Sequence, residues 1–184
     1  MNISREHLEL LSESFRNIDE TTKEIINLEA ILSLPKGTEH FLSDIHGEYE
    51  AFDHILRNGS GVIKEKLKEV FGNRLPKKEL NLLATIIYYP EEKLNLLKKE
   101  FSTAEYKEYQ KILLLRLLEV TQVAARKYTR SKVRKLLPKD FDYIIEELLY
   151  KMQTRDKEDY YEKILENIIE LGAGDKFIIE LSLS

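Results

Sequence analysis

The sequence predicts a mainly α-helical chain with one short extended segment, on three observations. Apolar residues recur at three- and four-residue steps over most of the 184 residues, the period of a helix that buries one face. Only Glu39-His40-Phe41-Leu42-Ser43 lacks that period, and it follows the turn-forming Leu34-Pro35-Lys36-Gly37-Thr38. Hydrophobic residues make up 42% of the chain, enough for one core, with no internal repeat or low-complexity linker to divide it.

Taken in order, a first amphipathic helix follows Ser4 as its N-cap. A second is expected from the capping-box pattern Thr21-Thr22-Lys23-Glu24, burying Ile25, Leu28, Ile31 and Leu32. The extended run comes next. Glu48 to Arg57 reads as a short helix stopped by Asn58-Gly59-Ser60-Gly61, and the helix after it carries Val62, Leu67 and Val70. Everything beyond Gly72 reads as helix. Leu75-Pro76 opens one through Ile87, and Pro90 opens another over Leu94 and Leu97. A long helix from about Ala104 to Tyr128 repeats Tyr106, Tyr109, Leu113, Leu117, Val120 and Ala124 at helical steps, with Ile112, Leu114 and Leu118 widening the apolar face. Two more, near Phe141 to Lys151 and Asp159 to Leu171, are separated by Arg155-Asp156-Lys157-Glu158 and closed by Gly172 and Gly174. Asp175 to Leu183 is read as helix over strand.

Chemistry concentrates at Asp44-Ile45-His46-Gly47, between the extended run and a helix. In a strand, side chains two apart share a face, so Asp44 and His46 are expected to point together at the carboxyl end, where α/β proteins place ligands. A carboxylate oxygen and a neutral imidazole nitrogen suit a borderline or hard ion such as Mn, Fe or Zn. Gly47 lets the backbone turn tightly beside it. The bland alternative makes Asp44 a turn former or N-cap and His46 a surface residue.

The flanking residues decide between them. Ser43-Asp44-Ile45-His46-Gly47-Glu48-Tyr49-Glu50-Ala51-Phe52 resembles the first motif of calcineurin-type metallophosphoesterases. With Leu34-Pro35-Lys36-Gly37-Thr38-Glu39-His40-Phe41 before it and His54-Ile55-Leu56-Arg57-Asn58-Gly59-Ser60-Gly61 after it, the block is similar to class 3 fructose-1,6-bisphosphatases. Tyr88-Tyr89-Pro90-Glu91, Lys127-Tyr128-Thr129-Arg130-Ser131-Lys132 and Glu146-Glu147-Leu148-Leu149-Tyr150-Lys151 extend the resemblance, in order, over most of the chain. It implies a metal-dependent phosphatase of gluconeogenesis that removes the 1-phosphate of fructose 1,6-bisphosphate, a sugar bisphosphate substrate, with Mn2+ as cofactor and Asp44 and His46 as ligands of one ion. The later motifs G-D-x-x-D-R-G, G-N-H-[DE] and G-H-x-H are absent from these residues. The expectation is therefore an amino-terminal fragment, inactive alone: an incomplete piece of an α/β phosphoesterase fold. Residues 1–61 would carry its first helices, strand and D-x-H-G motif, and residues 62–184 a helical insertion subdomain. A different metallophosphoesterase, or a non-catalytic helical interaction or regulatory domain, is the alternative.

Composition narrows the remainder. No cysteine means no disulfide, thiolate metal site or cysteine nucleophile. No apolar run approaches the roughly 20 residues of a membrane span, and no signal segment opens the chain, so a cytoplasmic location without membrane contact is expected. The net charge of −4 gives no reason to expect nucleic acid as a partner. Six of the ten residues 126–135 are basic. On a continuous helix Arg126, Arg130 and Arg134 would lie along one face and could bind a phosphate or effector. The competing reading, an exposed face neutralised by Asp140, Asp142, Glu146 and Glu147, is preferred. His54 is read as structural over metal-facing, and His40 as too far from Asp44 to share an ion. Asn58-Gly59-Ser60-Gly61 is read as a helix stop over a phosphate loop, and Tyr88-Tyr89 and Tyr160-Tyr161 as core residues.

Overall fold

A computed structural model describes residues 4–36, 39, 41–58, 61–150 and 157–183. The chain divides into two compact units, residues 1–37 and 38–184.

The first unit holds two helices. In α1 (Arg5–Ser14) the Ser4 hydroxyl accepts from the His7 amide, the expected N-cap. In α2 (Ile18–Leu32) the helix begins three residues before the expected box, because Asn17 caps it. The Asn17 side chain accepts from the Glu20 amide at 2.8 Å, and the Glu20 carboxylate accepts from the Arg16 amide at 3.0 Å. Asn17-x-x-Glu20 thus satisfies two otherwise free donors and outcompetes Thr21-x-x-Glu24. The burial expected for α2 is not found. Ile25, Leu28, Ile31 and Leu32 are all exposed, and no residue of α1 or α2 is buried.

The second unit opens with irregular chain over Phe41 to Ile45. Among the described residues no strand forms, so the extended run exists without a ladder; a lone segment has no neighbour to take its backbone donors and acceptors. Helices follow without interruption of type: α3 (Tyr49–Asn58), α4 (Val62–Phe71), a 3-10 turn (Gly72–Arg74), α5 (Lys77–Tyr88), α6 (Pro90–Glu100), α7 (Thr103–Ala125), α8 (Arg130–Leu136), α9 (Asp142–Leu149), α10 (Glu158–Glu170) and α11 (Gly174–Leu183). The mainly α class is as the sequence predicts. The helix stop after Asn58 and the charged separator before Lys157 fall partly outside the described residues.

The long helix α7 is the axis of this unit, packed by α4, α9, α10 and α11. Its 23 residues span roughly 35 Å, and Leu113, Leu114, Leu117 and Leu118 are buried on it, whereas Ile112 and Ala124 face out. Around it Leu67, Leu83, Ile86, Leu94, Ile145, Leu165, Phe177 and Ile178 are buried, each worth about 1.5–3 kcal/mol of transfer free energy when a side chain of this size leaves water. Polar chemistry trims the ends. Ser102 and Glu105 form a reciprocal capping box at the start of α7. Between α10 and α11 the chain reverses at Gly172, φ 73°, where the Ala173 amide reaches the Ile168 carbonyl at 2.9 Å. That is the six-to-one bond of a left-handed helix cap, and glycine adopts it without a Cβ penalty.

One buried polar network ties three helices together. The Asp175 carboxylate, in the first turn of α11, accepts from the Tyr106 hydroxyl and from the Gln110 amide, each at 2.6 Å, and pairs with Lys98 of α6. Gln110 is the one buried polar side chain among the described residues. Burial first, and the adjacent Asp175 carboxylate second, push the Tyr106 hydroxyl far above its ordinary titration range.

Candidate functional site

Asp44 and His46 sit in the irregular chain that leads into α3, and both are exposed. Their backbone is not that of a strand. Asp44 has φ 53° and His46 φ 50°, the left-handed region, with Gly47 at φ 74°. The expected strand alternation therefore does not set their relative direction. What brings them together is a turn: the Glu48 amide bonds to the Ile45 carbonyl at 3.0 Å, and the Tyr49 amide to the Gly47 carbonyl at 2.9 Å. Left-handed backbone costs a non-glycine residue roughly 1–2 kcal/mol, and such outliers gather at functional sites. Asp44, His46 and Glu48 line one hollow of about 250 Å3, floored by Ala51, Phe52 and Ile55.

The donor set fits half of a metal site. An oxygen and a nitrogen ligand lie in one open depression, with Glu48 beside them, yet no group of three ligating side chains among the described residues could enclose an ion. His54 is not part of this lining. Its Nδ1 is hydrogen-bonded to the Tyr89 hydroxyl, and the two rings stack with centroids 6.0 Å apart. Arg57 reinforces the same junction. It pairs with Asp53 at 2.7 Å, reaches the Tyr88 carbonyl at 3.5 Å and lies 5.6 Å over the Tyr89 ring. These contacts tie the second half of α3 to the α5–α6 corner, a turn or more beyond the end from which the Asp44–Gly47 turn projects. The structural reading of His54 stands. His40 lies outside the described residues. Tyr88 and Tyr161 are buried as expected of core tyrosines, whereas Tyr160 is exposed.

The basic segment is not one helix. α7 ends at Ala125 and α8 begins at Arg130, because Thr129 caps the new helix by accepting from the Lys132 amide at 3.2 Å. Arg126, Arg130 and Arg134 therefore do not share a continuous face. Arg134 behaves as a neutralised surface charge: it forks onto Glu146 at 2.7 to 3.1 Å, and that hydrogen bonding holds its guanidinium ionised. The expected carboxylate contacts fail for the other two. Arg130 lies 4.6 Å over the Tyr150 ring, and Arg126 forms no ion pair with a described carboxylate. Asp140 is occupied elsewhere, by Lys176.

The described residues thus define a mainly helical chain that presents a D-x-H-G turn at the head of a helix, α3, none of whose residues 49–57 is buried. Comparison with known proteins supplies its family. The profile of the Firmicute fructose-1,6-bisphosphatase family matches residues 6–184, and the chain belongs to that family. It is 58% identical over 177 residues to a class 3 fructose-1,6-bisphosphatase of Alkaliphilus metalliredigens, covering 96% of this chain and 26% of the relative. Identity is 54% over 182 residues, 98% and 28% of the two chains, to the Listeria monocytogenes protein of that name. It is 50% over 183 residues, 99% and 27%, to the Clostridioides difficile protein of that name. The chain spans about a quarter of the length of the curated relatives it matches. No solved structure matches it. No described helix is long and apolar enough to cross a membrane.

Proposed function

We propose that these residues belong to a fructose-1,6-bisphosphatase that removes the 1-phosphate of fructose 1,6-bisphosphate in gluconeogenesis, a cytoplasmic phosphoric monoester hydrolase with Mn2+ as cofactor. The observation that carries this is the family match from residue 6 to 184, which contains the Asp44-Ile45-His46-Gly47 turn whole. Under this reading residues 1–61 open the phosphoesterase domain, and residues 62–184 are a helical insertion that supports it.

Within that site the Asp44 carboxylate and the His46 imidazole would be the oxygen and nitrogen ligands of one ion. When bound, the ion supplies Lewis-acid stabilisation of negative charge on the phosphoryl oxygens. This chain's own residues hold and aim: the Ile45–Glu48 turn sets the two ligands, and His54 and Arg57 secure α3 behind them. A catalytic metal position generally uses three protein ligands, so the chain alone should turn over no substrate and retain little metal.

The test compares purified 184-residue chain, full-length enzyme, and full-length Asp44→Asn and His46→Ala in excess Mn2+. Phosphate release and bound manganese per chain are both measured. Full-length enzyme should release phosphate and hold metal, while each variant should lose most of both. A second reading, a non-catalytic helical interaction or regulatory domain, is favoured by the missing third ligand among the described residues. Near-normal turnover and manganese content in both variants would select it.

A further inference from the structure

The carboxyl ends of α7 and α9 meet beside the first turn of α8, and between them lies a hollow of about 340 Å3. Gln122, Arg126, Tyr128, Arg130 and Tyr150 line it, and none of the described residues that line it is a carboxylate. Two positive charges facing one depression need a physical account. Compensation of helix ends is the first to weigh, since a cation near a helix carboxyl end offsets about half a unit of negative charge. Two such ends amount to about one unit, against two guanidinium groups. One of the terminal carbonyls, that of Leu149, is already taken by the Gln122 side-chain amide at 2.9 Å. Glu69 is under the influence of Arg126, but Lys66 is its hydrogen-bond partner and the main reason its carboxyl is held low. Among the described residues, about one unit of positive charge is left facing the hollow.

The arrangement is also aimed. The Arg130 guanidinium lies 4.6 Å over the Tyr150 ring, a cation–π contact that uses none of its N–H donors as a hydrogen bond and leaves them for an oxyanion. Lys132 lies 4.6 Å over the ring of Tyr128, itself a lining residue. The volume is at the small end of ligand pockets, suited to a phosphate or a sugar phosphate.

We propose that this hollow is an oxyanion site that receives the phosphoryl group of a phosphate monoester, with Arg126 and Arg130 as its ligands and Arg134 outside it. The site is separate from the Asp44–His46 turn and stands whether or not that turn carries hydrolysis. Its occupant is either the sugar bisphosphate itself or an independent phosphate-bearing regulator.

The 184-residue chain is titrated with inorganic phosphate against chloride at matched ionic strength, following the arginine side-chain N–H resonances by NMR. Arg126 and Arg130 should shift saturably, with a dissociation constant of about 1 mM for so open a site. Arg126→Gln and Arg130→Gln, each checked for unchanged helicity and unfolding midpoint, should weaken binding about tenfold, the loss expected for a hydrogen bond between charged groups. Arg134→Gln should stay within about twofold. A parallel titration with fructose 1,6-bisphosphate identifies the occupant: markedly tighter binding assigns the sugar bisphosphate, equal binding assigns the phosphoryl group alone. Phosphate shifts no larger than those of chloride, or an equal loss in Arg134→Gln, would reduce the site to diffuse surface charge and overturn the proposal.

Discussion

Replacing Asp175 by alanine should destabilise the second unit more than its partly exposed position suggests. Its carboxylate is a shared acceptor for two buried donors, the Tyr106 hydroxyl and the Gln110 amide, both at 2.6 Å. Tyr106 and Gln110 are only 8% and 7% exposed, so water cannot replace the lost acceptor. An orphaned buried donor costs about 1–3 kcal/mol, and two of them give roughly 4 kcal/mol. The Lys98 pair adds little, because the lysine is half exposed. A loss of that size is a large share of a domain's stability and should lower the midpoint by roughly 8–16 °C at this chain length. Urea and thermal unfolding, followed by far-ultraviolet circular dichroism and tyrosine fluorescence, read it directly. The double variant Tyr106→Phe/Asp175→Ala sharpens the test: with one orphan removed, it should be about 1–2 kcal/mol more stable than Asp175→Ala alone. A cost below about 1 kcal/mol for Asp175→Ala, or losses that simply add in the double variant, would refute the shared-acceptor argument.

Tyr89→Phe removes the hydroxyl from His54 and should speed amide exchange across α3 by up to tenfold, the worth of one hydrogen bond of about 1 kcal/mol; unchanged α3 protection would remove the anchoring role of that contact. The Asp140–Lys176 pair should make stability bow at both ends of the pH scale. Lys176 holds the Asp140 carboxyl below its ordinary value, a contribution present above the ordinary carboxylate range and lost as pH falls through the lowered folded value. Asp140 raises Lys176, a contribution present below the ordinary lysine range and lost as pH climbs through the raised folded value. Midpoints of Asp140→Asn against the parent chain should therefore differ at neutral pH and converge at both extremes; a constant difference across the range would exclude the pair as its source.

The long helix was legible because one of its faces is buried. The pattern Tyr106, Leu113, Leu117, Val120 announces α7 because those positions meet α4, α9, α10 and α11. Helix starts were less legible, since several capping patterns compete and only geometry chooses. Asn17-x-x-Glu20 prevailed over Thr21-x-x-Glu24, and Thr129 ended a run that holds no glycine or proline between Ala125 and Arg130. The Asp175 network was invisible because its members lie 65 and 69 residues apart, and a glutamine within an apolar helix gives no sign of facing inward. Gly174 is a trace of it: a Cβ there would stand 2.7 Å from the Gln110 side-chain nitrogen, so a larger residue would push the Gln110 amide off Asp175.

At the candidate site the residue types were legible and their geometry was not. Asp44 and His46 were singled out as a carboxylate and imidazole donor pair inside a block that resembles a metallophosphoesterase motif, and Gly47 from the turn it permits. The inferred strand failed because strand alternation is a property of a paired backbone, whereas here the directing bonds are local, from the Glu48 and Tyr49 amides to the Ile45 and Gly47 carbonyls. Local turn bonds and the His54 and Arg57 contacts of α3 shape this segment; they do not add a third ligand among the described residues. Placement and ligation are therefore separable. Placement is written into the 184 residues, through the turn and through His54 and Arg57 against the α5–α6 corner. Under the proposed metal-site reading, an ion held by Asp44 and His46 would need at least one further ligand, so a variant that loosens α3 should lower the manganese bound by the full-length enzyme without changing which side chains ligate.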